Sequence, residues 1–505
     1  MLAKLTSGTT IGLTALPVAV EVDVASNGLP AFFIVGLADK SVEEAKERVR
    51  SALRNSNFEF PARRITVNLA PADLPKEKPI FDLAIAVGLM MASSQIETDT
   101  SDIFMVGELS LDGSLRYTPG VLALIMLARE LGFKKVFIPQ ENAVEARVID
   151  GIAIYAFENL TDIALYLLGE KEIVPVVHQN LSIADDVVFE ADFASIKGQE
   201  QAKRAMEIAA SGGHNVLLNG TPGAGKTMLA RSFPSILPPM SAEETLELTQ
   251  IYSITGALSG KKGFITSRPF RAPHHTASYV GIIGGGNSIK PGEVSLAHRG
   301  VLFLDELPEF PRQVLEALRQ PLEDKQVVVS RASGSVVFPA KFILISAQNP
   351  CPCGYFGSTV KECTCMPSQV NRYKKKISGP LLDRIDLHLN VPAVDVEKLA
   401  GEAVPESSSE VRKRVIKARE IQKKRFGNGD ILTNSEMTNQ LIRKHCELEE
   451  DAMALLKQAM VKMKLSARSY FRILKLSRTI ADLAERENIV VEDIAEALQY
   501  RMKED

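Results

Sequence analysis

Gly220-Thr221-Pro222-Gly223-Ala224-Gly225-Lys226-Thr227 is the stretch that decides the fold of this 505-residue chain. An apolar strand, HNVLLNG, leads into it and a helical segment, KTMLARSF, follows it, which is the context of a phosphate-binding loop. The glycines allow backbone N–H groups to turn toward phosphate. Lys226 is placed to reach the β- and γ-phosphates of a nucleotide, and Thr227 to coordinate Mg²⁺. We therefore predict that residues 220–227 bind ATP together with Mg²⁺.

Two further apolar strands carry polar side chains at their ends. GVLFLDE ends in Asp305 and Glu306, and KFILISAQNP brings Asn349 to the end of another strand. Beside a phosphate loop, Asp305 is expected to hold the Mg²⁺ shell and Glu306 to act as general base on the attacking water. Asn349 is expected to hydrogen-bond the γ-phosphate or that water. Such residues are also common in helix caps and turns, so their catalytic interpretation depends on the phosphate loop.

Two arginines are candidates for completing the site. Arg384 lies among apolar residues in SGPLLDRID, and in a ring ATPase such an arginine neutralises charge on the γ-phosphate held by a neighbouring subunit. The alternative for Arg384 is an ion pair within the chain, to Asp383 or Asp386. Arg468 opens a later helix and is a second candidate cation for the same nucleotide, although arginines on helix surfaces are mostly solvated.

Four of the five cysteines lie within fifteen residues of one another, as C-x-C, nine residues and C-x-C. A disulfide framework would spread cysteines through the chain, so this clustering favours metal binding or chance. Four thiolates can close a tetrahedral structural zinc site. The alternative is a loop that carries reduced free thiols. The four candidate ligands are Cys351, Cys353, Cys363 and Cys365.

The length of the chain predicts two or three domains, each with its own core. Strand-like and helical segments alternate through the first two thirds of the sequence, which favours α/β architecture with a parallel sheet between helices. Every periodic segment after residue 410 is helical. We predict an α/β domain over residues 1–170, a linker over 171–194, an α/β core over 195–399 and a helical domain over 400–505.

The charge pattern limits how this chain can meet nucleic acid or membrane. Its formal net charge is -3, so a nucleic-acid contact has to come from a local patch. No stretch approaches the roughly eighteen apolar residues of a membrane span, and we expect a cytoplasmic protein. Two insertions interrupt the core, one carrying Lys290 and the other Arg331. The first also contains the pair His274 and His275, which has no neighbours that would complete a metal site.

Several long stretches resemble one known family. They are PFRAPHHTAS, KPGEVSLAHRGVLFLDELPEF, NPCPCG and SGPLLDRIDL, and toward the N-terminus NGLPAFFIVGLADK. They are similar to the magnesium-chelatase-like AAA+ ATPases of the ComM/YifB group. The resemblance implies a homo-hexameric ring with a helix-2 insert over residues 271–298 and a pre-sensor hairpin over 326–339. It also implies that Arg384 is the arginine finger, Asn349 sensor 1 and Arg468 sensor 2, with a helical lid at the C-terminal end.

The N-terminal segment resembles a second fold, that of the Lon-type protease domain. The resemblance lies in GELSLDGSLR and VFIPQENAVEA. An ungapped match places the catalytic serine of that fold on Ile80 and its lysine on Leu122. Neither side chain can act as nucleophile or base, so the resemblance implies a Lon-like domain without peptidase chemistry.

The family resemblance also implies a function. It points to a motor acting on single-stranded or branched DNA, such as a branch-migration helicase in recombination or natural transformation, with recombination proteins as partners. Lys290 and Arg331 would then contact DNA in the pore of the ring. The alternative is a protein remodeller or scaffold that uses the Lon-like domain as an adaptor. Metal insertion is disfavoured, because the chain lacks the D-x-S-x-S pattern found in the partner subunits of magnesium chelatase.

Overall fold

The computed structural model describes most of the chain, and everything below refers to those residues. They are 1–37, 39–76, 78–179, 189–258, 263–286, 289–331, 334–358, 361–393, 405–427, 429, 431–463 and 465–501. Among them, no helix is both long enough and apolar enough to cross a membrane.

The first third of the chain folds around a mixed sheet. Its strands are β1 (Leu2–Ile11), β2 (Thr14–Val24), β3 (Ala31–Val35), β4 (Arg64–Ala70), β5 (Ile103–Met105), β6 (Glu108–Leu109), β7 (Leu115–Arg116), β8 (Lys135–Pro139) and β9 (Ala153–Phe157). Its helices are α1 (Lys40–Glu43), α2 (Ala45–Asn55), α3 (Asp82–Ala92), α4 (Val121–Glu130), α5 (Ala143–Ala146) and α6 (Leu160–Leu167).

Seven of these strands form one sheet, in the order β3-β4-β2-β1-β5-β8-β9. The long hairpin β1–β2 and the pair β2–β4 are antiparallel, and the other neighbours are parallel. Helix α3 is apolar on every side and buried at nearly every position, as expected of a helix inside a core. Strands and helices alternate through this unit, so the α/β prediction is confirmed here.

The middle of the chain is a second α/β unit. Its strands are β10 (Val216–Gly220), β11 (Phe270–Arg271), β12 (Gly284–Gly285), β13 (Lys290–Pro291), β14 (Val301–Leu304), β15 (Gln326–Arg331), β16 (Gly334–Pro339), β17 (Ile343–Gln348) and β18 (Leu387–Val391). Its helices are α7 (Glu200–Gly212), α8 (Lys226–Ser232), α9 (Ala242–Thr255), α10 (Tyr279–Ile283), α11 (Glu293–Leu296), α12 (Arg312–Ala317), α13 (Arg319–Asp324), α14 (Pro367–Lys374) and α15 (Gly379–Leu382).

Five of these strands form a sheet that is parallel throughout, in the order β11-β14-β17-β10-β18. Because β10, β14 and β17 are neighbours in this order, the loops that follow them meet at one edge of the sheet. That edge, beyond the carboxyl ends of the strands, is where ligands bind in open α/β sheets. The predicted parallel sheet is confirmed, as is the antiparallel hairpin β15–β16.

The described residues beyond 405 are arranged as helices. They are α16 (Ser408–Phe426), α17 (Asn439–His445), α18 (Glu450–Lys462), α19 (Ala467–Leu483) and α20 (Val491–Gln499). Their buried faces join those of α7 and the strands of the five-stranded sheet in one hydrophobic cluster. The all-α domain over residues 400–505 stays a prediction, since part of that range lies outside the described residues. The domain limits stay predictions, because residues 180–188 of the predicted linker and the junction at 399–400 lie outside the described residues.

The N-terminal α/β unit packs directly on the second one. The backbone N–H of Gly120 donates to the carbonyl oxygen of Ser253 in α9 at 3.1 Å. The turn of the β1–β2 hairpin meets β16, and a Cβ added at Gly12 would lie 2.0 Å from Val336 Cγ1. Gly12 also has a φ of +61°, so both its conformation and its contact require glycine.

Candidate functional site

The loop between β10 and α8 has the conformation that its glycines allow. Gly223 and Gly225 have φ values of +78° and +88°, which other residues adopt only at a cost. A Cβ added at either glycine would meet no described atom within 4 Å. The loop therefore presents its backbone toward open space, as a site for phosphate oxygens requires.

Lys226 connects this loop to the end of β17. Its Nζ donates to the carbonyl oxygens of Gly220 and Thr221, at 2.6 and 2.9 Å, and to Asn349 Oδ1 at 3.1 Å. Burial lowers the pKa of Lys226, while Asp305 and Glu306 act in the opposite direction. The ammonium group is thus held at the loop by acceptors that phosphate oxygens can replace.

Thr227, Asp305 and Glu306 lie on the other side of the loop. The Thr227 hydroxyl donates to Asp305 Oδ2 at 3.0 Å, and the Glu306 backbone N–H donates to Asp305 Oδ1 at 2.9 Å. A hydroxyl and a carboxylate at this separation are the hard oxygen ligands that Mg²⁺ prefers. The Glu306 side chain is 55% exposed, so water can reach its carboxylate. These residues fit a nucleotide with Mg²⁺, and their binding of it stays a prediction.

Sequence reasoning missed a histidine at this edge. His275 Nδ1 lies 3.6 Å from a carboxylate oxygen of Glu306, and its ring lies 4.1 Å, between centroids, from that of His274. His275 follows β11, which pairs with β14, and this pairing brings it to the end of the strand that precedes Glu306. Local sequence gave little sign of this placement, because β11, which ends four residues before His275, has only two residues.

Arg384 lies away from the phosphate loop of its own chain. Its backbone carbonyl accepts a hydrogen bond from the Asn215 side chain at 3.1 Å, just before β10 begins, whereas the phosphate loop follows the end of β10. Its guanidinium pairs with Glu323 and donates to the carbonyl oxygen of Pro380 at 2.7 Å. The predicted alternatives, Asp383 and Asp386, are both wrong as ion-pair partners. Glu323 is 61 residues away along the chain, so local sequence gave no sign of it.

Arg468 lies near Arg384 and is exposed at the start of α19. Hydrogen bonding by Arg384 lowers the pKa of Glu323, and the charges of Arg384, Arg468 and Arg472 reinforce this shift. Arg472 also donates to Asp386 at 3.1 Å. The Glu323 carboxylate is therefore close to three arginines, Arg384, Arg468 and Arg472. This group lies away from the phosphate loop of the same chain.

The four clustered cysteines come together beside the phosphate loop. Their sulfur atoms lie within 4.8 Å of one another, with Cys351 Sγ 3.3 Å from Cys353 Sγ and 3.6 Å from Cys363 Sγ. A hydrogen bond from the Tyr355 backbone lowers the pKa of Cys353, which favours the thiolate form at this one sulfur. The pKa values of Cys363 and Cys365 are raised, because a backbone hydrogen bond that acts in the opposite direction is outweighed by burial and the neighbouring sulfurs. The chemistry and spacing of this donor set fit a tetrahedral metal ion.

Lys290 and Arg331, the predicted DNA contacts, lie on neighbouring elements. The insert containing β12 and β13 packs on the β15–β16 hairpin, and a Cβ added at Gly285 would be 4.0 Å from Val329 Cγ1. Apolar residues of α10 and of both hairpin strands share one hydrophobic cluster. Lys290 is exposed. Arg331 ends β15, and its side chain lies outside the described part of the chain.

Ile80 and Leu122, at the positions of the Lon dyad, are buried in the N-terminal core, with 2% and 0% exposure. They serve as core residues of the N-terminal unit. The absence of peptidase chemistry in this unit stays a prediction.

Comparison with known proteins assigns the chain to a family. Families described as "Magnesium chelatase, subunit ChlI", "Subunit ChlI of Mg-chelatase" and "Magnesium chelatase, subunit ChlI C-terminal" match residues 192–399, 20–142 and 405–501. Competence protein ComM of Haemophilus influenzae is 43% identical over 514 aligned residues, which cover 99% of this chain and 97% of that protein. The chain belongs to the ComM/YifB family of magnesium-chelatase-like AAA+ proteins.

Two other relatives are similar to this ComM/YifB protein over different shares of its length. Protein YifB of Salmonella typhimurium, described as uncharacterized, is 43% identical over 493 residues, which cover 97% of this chain and 95% of that protein. Lon protease 2 of Bacillus subtilis is 33% identical over 118 residues, which cover 23% of this chain and 21% of that protein. The second similarity supports the predicted likeness to Lon proteins.

Proposed function

We propose that this ComM/YifB protein is a ring-forming ATPase that acts on single-stranded or branched DNA as a branch-migration helicase. The observation that carries the ATPase part is the convergence of Lys226, Thr227, Asp305, Glu306 and Asn349 at one edge of the parallel sheet. Homologous recombination or natural transformation is the process that such an activity would serve, in line with the printed name of the Haemophilus relative.

Each residue has a separate part in the proposed hydrolysis. The loop amides and Lys226 hold the phosphates, while Thr227 and Asp305 hold Mg²⁺, which neutralises charge on the transferred phosphoryl group. Glu306 accepts the proton of the attacking water. Asn349, already in contact with Lys226, orients that water or the γ-phosphate.

Arg384 and Arg468 are proposed to complete the site of a neighbouring subunit in a hexamer, with the C-terminal helices as its lid. Arg384 would have to leave Glu323 to reach that phosphate. Mixing two inactive variants tests whether Arg384 acts on the nucleotide of a neighbouring subunit. Lys226→Ala and Arg384→Ala should each abolish hydrolysis, and their mixture should recover part of it, because some sites then combine an intact loop with an intact arginine. A mixture as inactive as its components contradicts action between subunits.

DNA contact is proposed for Lys290 and Arg331, because the insert and hairpin that carry them pack together. ATP hydrolysis should rise with forked or four-way DNA, and binding should weaken steeply with salt. Lys290→Ala and Arg331→Ala should each reduce the stimulation, whereas Lys417→Ala, at an exposed position on α16, should leave it unchanged. Lys226→Ala should abolish hydrolysis.

The same assay separates the proposal from its alternative. If no DNA binds or raises hydrolysis, the DNA motor is wrong. A protein substrate that raises hydrolysis in the absence of DNA would instead identify a remodeller that uses its Lon-like domain as an adaptor.

A further inference from the structure

A small cavity lies on the side of the five-stranded sheet away from the phosphate loop. Gly213, Gly300 and Phe342, which line it, come just before β10, β14 and β17. The cavity is therefore at the amino ends of these strands, whereas the nucleotide site is at their carboxyl ends. Its volume is about 60 Å³, far below the several hundred Å³ of a typical nucleotide or drug site. A ligand of this cavity has to be about the size of an inorganic ion.

The cavity is lined by more cations than carboxylates. Its described lining has five cations, Arg268, Arg299, Lys325, Lys341 and Arg419, and two carboxylates, Glu244 and Glu436. Two of the cations are neutralised by close partners, since Arg268 pairs with Glu244 at 2.9 Å and Arg299 with Glu247 at 2.9 Å.

Lys325 and Arg419 are not neutralised in this way. Arg419 donates through Nε and Nη2 to the carbonyl oxygen of Ala210, at 3.1 and 2.8 Å, and pairs with no carboxylate of the described chain. Lys325 likewise forms no ion pair among the described residues. Glu436 faces both cations, and its Oε2 accepts the backbone N–H groups of Leu432 and Thr433, at 2.8 and 3.3 Å. Its single negative charge cannot offset both cations.

This arrangement favours a counterion. Lys325 and Arg419 are each partly buried, and a cation that is partly withdrawn from water is stabilised by a compensating negative charge. Burial lowers the pKa of Lys325, and burial together with the charge of Arg268 lowers that of Arg419 to about 10. Both shifts indicate positive charge that the surrounding protein does not fully neutralise.

We propose that this cavity binds a phosphate-sized oxyanion, inorganic phosphate or sulfate, between Lys325 and Arg419. The oxygens of the anion accept hydrogen bonds from both cations, and such charge-assisted bonds are the strong ones. Lys325 immediately precedes β15, and its carbonyl oxygen accepts the N–H of Ala340, just after β16, at 2.8 Å. The bound anion thus connects the base of the β15–β16 hairpin with α16.

Calorimetric titration of the full chain with sodium phosphate or sulfate tests the proposal, with Mg-ADP saturating the phosphate loop and constant ionic strength maintained with chloride. One anion per chain is expected. Lys325→Gln and Arg419→Gln should each weaken its binding by about tenfold or more. Lys417→Gln, two residues from Arg419 and exposed on the same helix, is the matched control and should bind like the parent chain.

Thermal unfolding measurements distinguish a variant that has lost the anion site from a variant that folds poorly. Phosphate should raise the unfolding temperature of the parent chain and of Lys325→Arg, which keeps the charge, but not that of Lys325→Gln. Equal phosphate stabilisation of the parent chain and of Lys325→Gln overturns the assignment. It is also overturned if phosphate and sulfate do not bind, or if a second nucleotide binds per chain while they have no effect.

Discussion

The carboxylate of Glu306 is 55% exposed and lies 3.6 Å from His275 Nδ1, beside the Asp305–Thr227 pair. If it is the general base, Glu306→Gln should lower the rate of ATP hydrolysis by about 10²- to 10⁴-fold. Nucleotide should still bind, because the loop, Lys226 and the Mg²⁺ ligands are unchanged. Phosphate release measures the rate of hydrolysis, and titration with a fluorescent nucleotide measures nucleotide binding.

Glu309→Gln is the matched control for that measurement. Glu309 follows the same strand but pairs with Lys376 at 3.0 Å. We expect the Glu309→Gln protein to hydrolyse ATP at the rate of the parent chain. Equal losses in the two variants would assign the effect to local structure rather than to the Glu306 carboxylate.

His275 Nδ1 lies 3.6 Å from the Glu306 carboxylate, and we predict that His275 positions this side chain rather than reacting itself. His275→Ala should lower kcat by roughly tenfold, the effect of losing one positioning contact, with little change in the KM for ATP. His274→Ala keeps the Nδ1 contact with Glu306 and should have a smaller effect. A changed KM with an unchanged kcat would place His275 in nucleotide binding instead.

The residues of this site differ in how far sequence could predict them. Lys226, Thr227, Asp305 and Asn349 each follow a recognisable buried strand, and strands of a parallel sheet end at one edge, so their convergence could be anticipated. His275 was harder, because its strand, Phe270–Arg271, has two residues and shows no periodicity. Pairing partners distant in sequence, such as Glu323 for Arg384, depend on tertiary packing that local patterns do not contain.

At the scale of elements, the cysteine loop lies against the phosphate loop. A Cβ added at Gly354 would be 2.7 Å from ring atoms of Pro222, so the position of one loop affects the other. We predict that the purified protein holds about one zinc ion per chain. Cys363→Ser should lose the zinc, and the loosened loop should weaken nucleotide binding. Elemental analysis and nucleotide titration measure these two effects.

Cys446 provides the control for the zinc prediction. It is buried among the C-terminal helices, apart from the cluster, so Cys446→Ser should keep both zinc and nucleotide affinity. Full nucleotide binding by a zinc-free Cys363→Ser protein would show that the two loops are independent. Zinc-free protein with four titratable thiols in the cluster would favour the alternative of free thiols.

The positions of the strands and helices could be predicted closely from the sequence, whereas the way they pack together could not. The β15–β16 hairpin and β17 were evident from alternating or continuous apolar residues bounded by turns. Nothing local indicated that α10 and the hairpin would share a hydrophobic cluster, because each presents an apolar face whose partner is fixed only when the sheet forms.

At the scale of the whole molecule, the N-terminal unit contacts the AAA+ core through a buried carboxyl group. Glu145 is 2% exposed and lies near Tyr117 and Ser253, the latter on α9 of the core. Burial raises its pKa to about 7, although hydrogen bonds with Asn142, Ser253 and Tyr117 act in the opposite direction. The carboxyl group is therefore protonated in the folded protein at pH values where it is ionised in the unfolded chain.

This difference makes stability depend on pH with a definite sign. Between the unfolded pKa of 4.5 and the folded value of about 7, the folded state binds more protons, so stability falls as pH rises, by about 3 kcal/mol at most. Glu145→Gln mimics the neutral carboxyl and should unfold several degrees higher than the parent chain at pH 8, with the difference much smaller at pH 5 and vanishing below the unfolded pKa of 4.5. Glu130→Gln, exposed on α4, should show no such change in thermal scans at the two pH values. A Glu145→Gln effect of equal size at pH 5 and pH 8 would mean that the contact between the two units depends on the shape of this side chain and not on its proton.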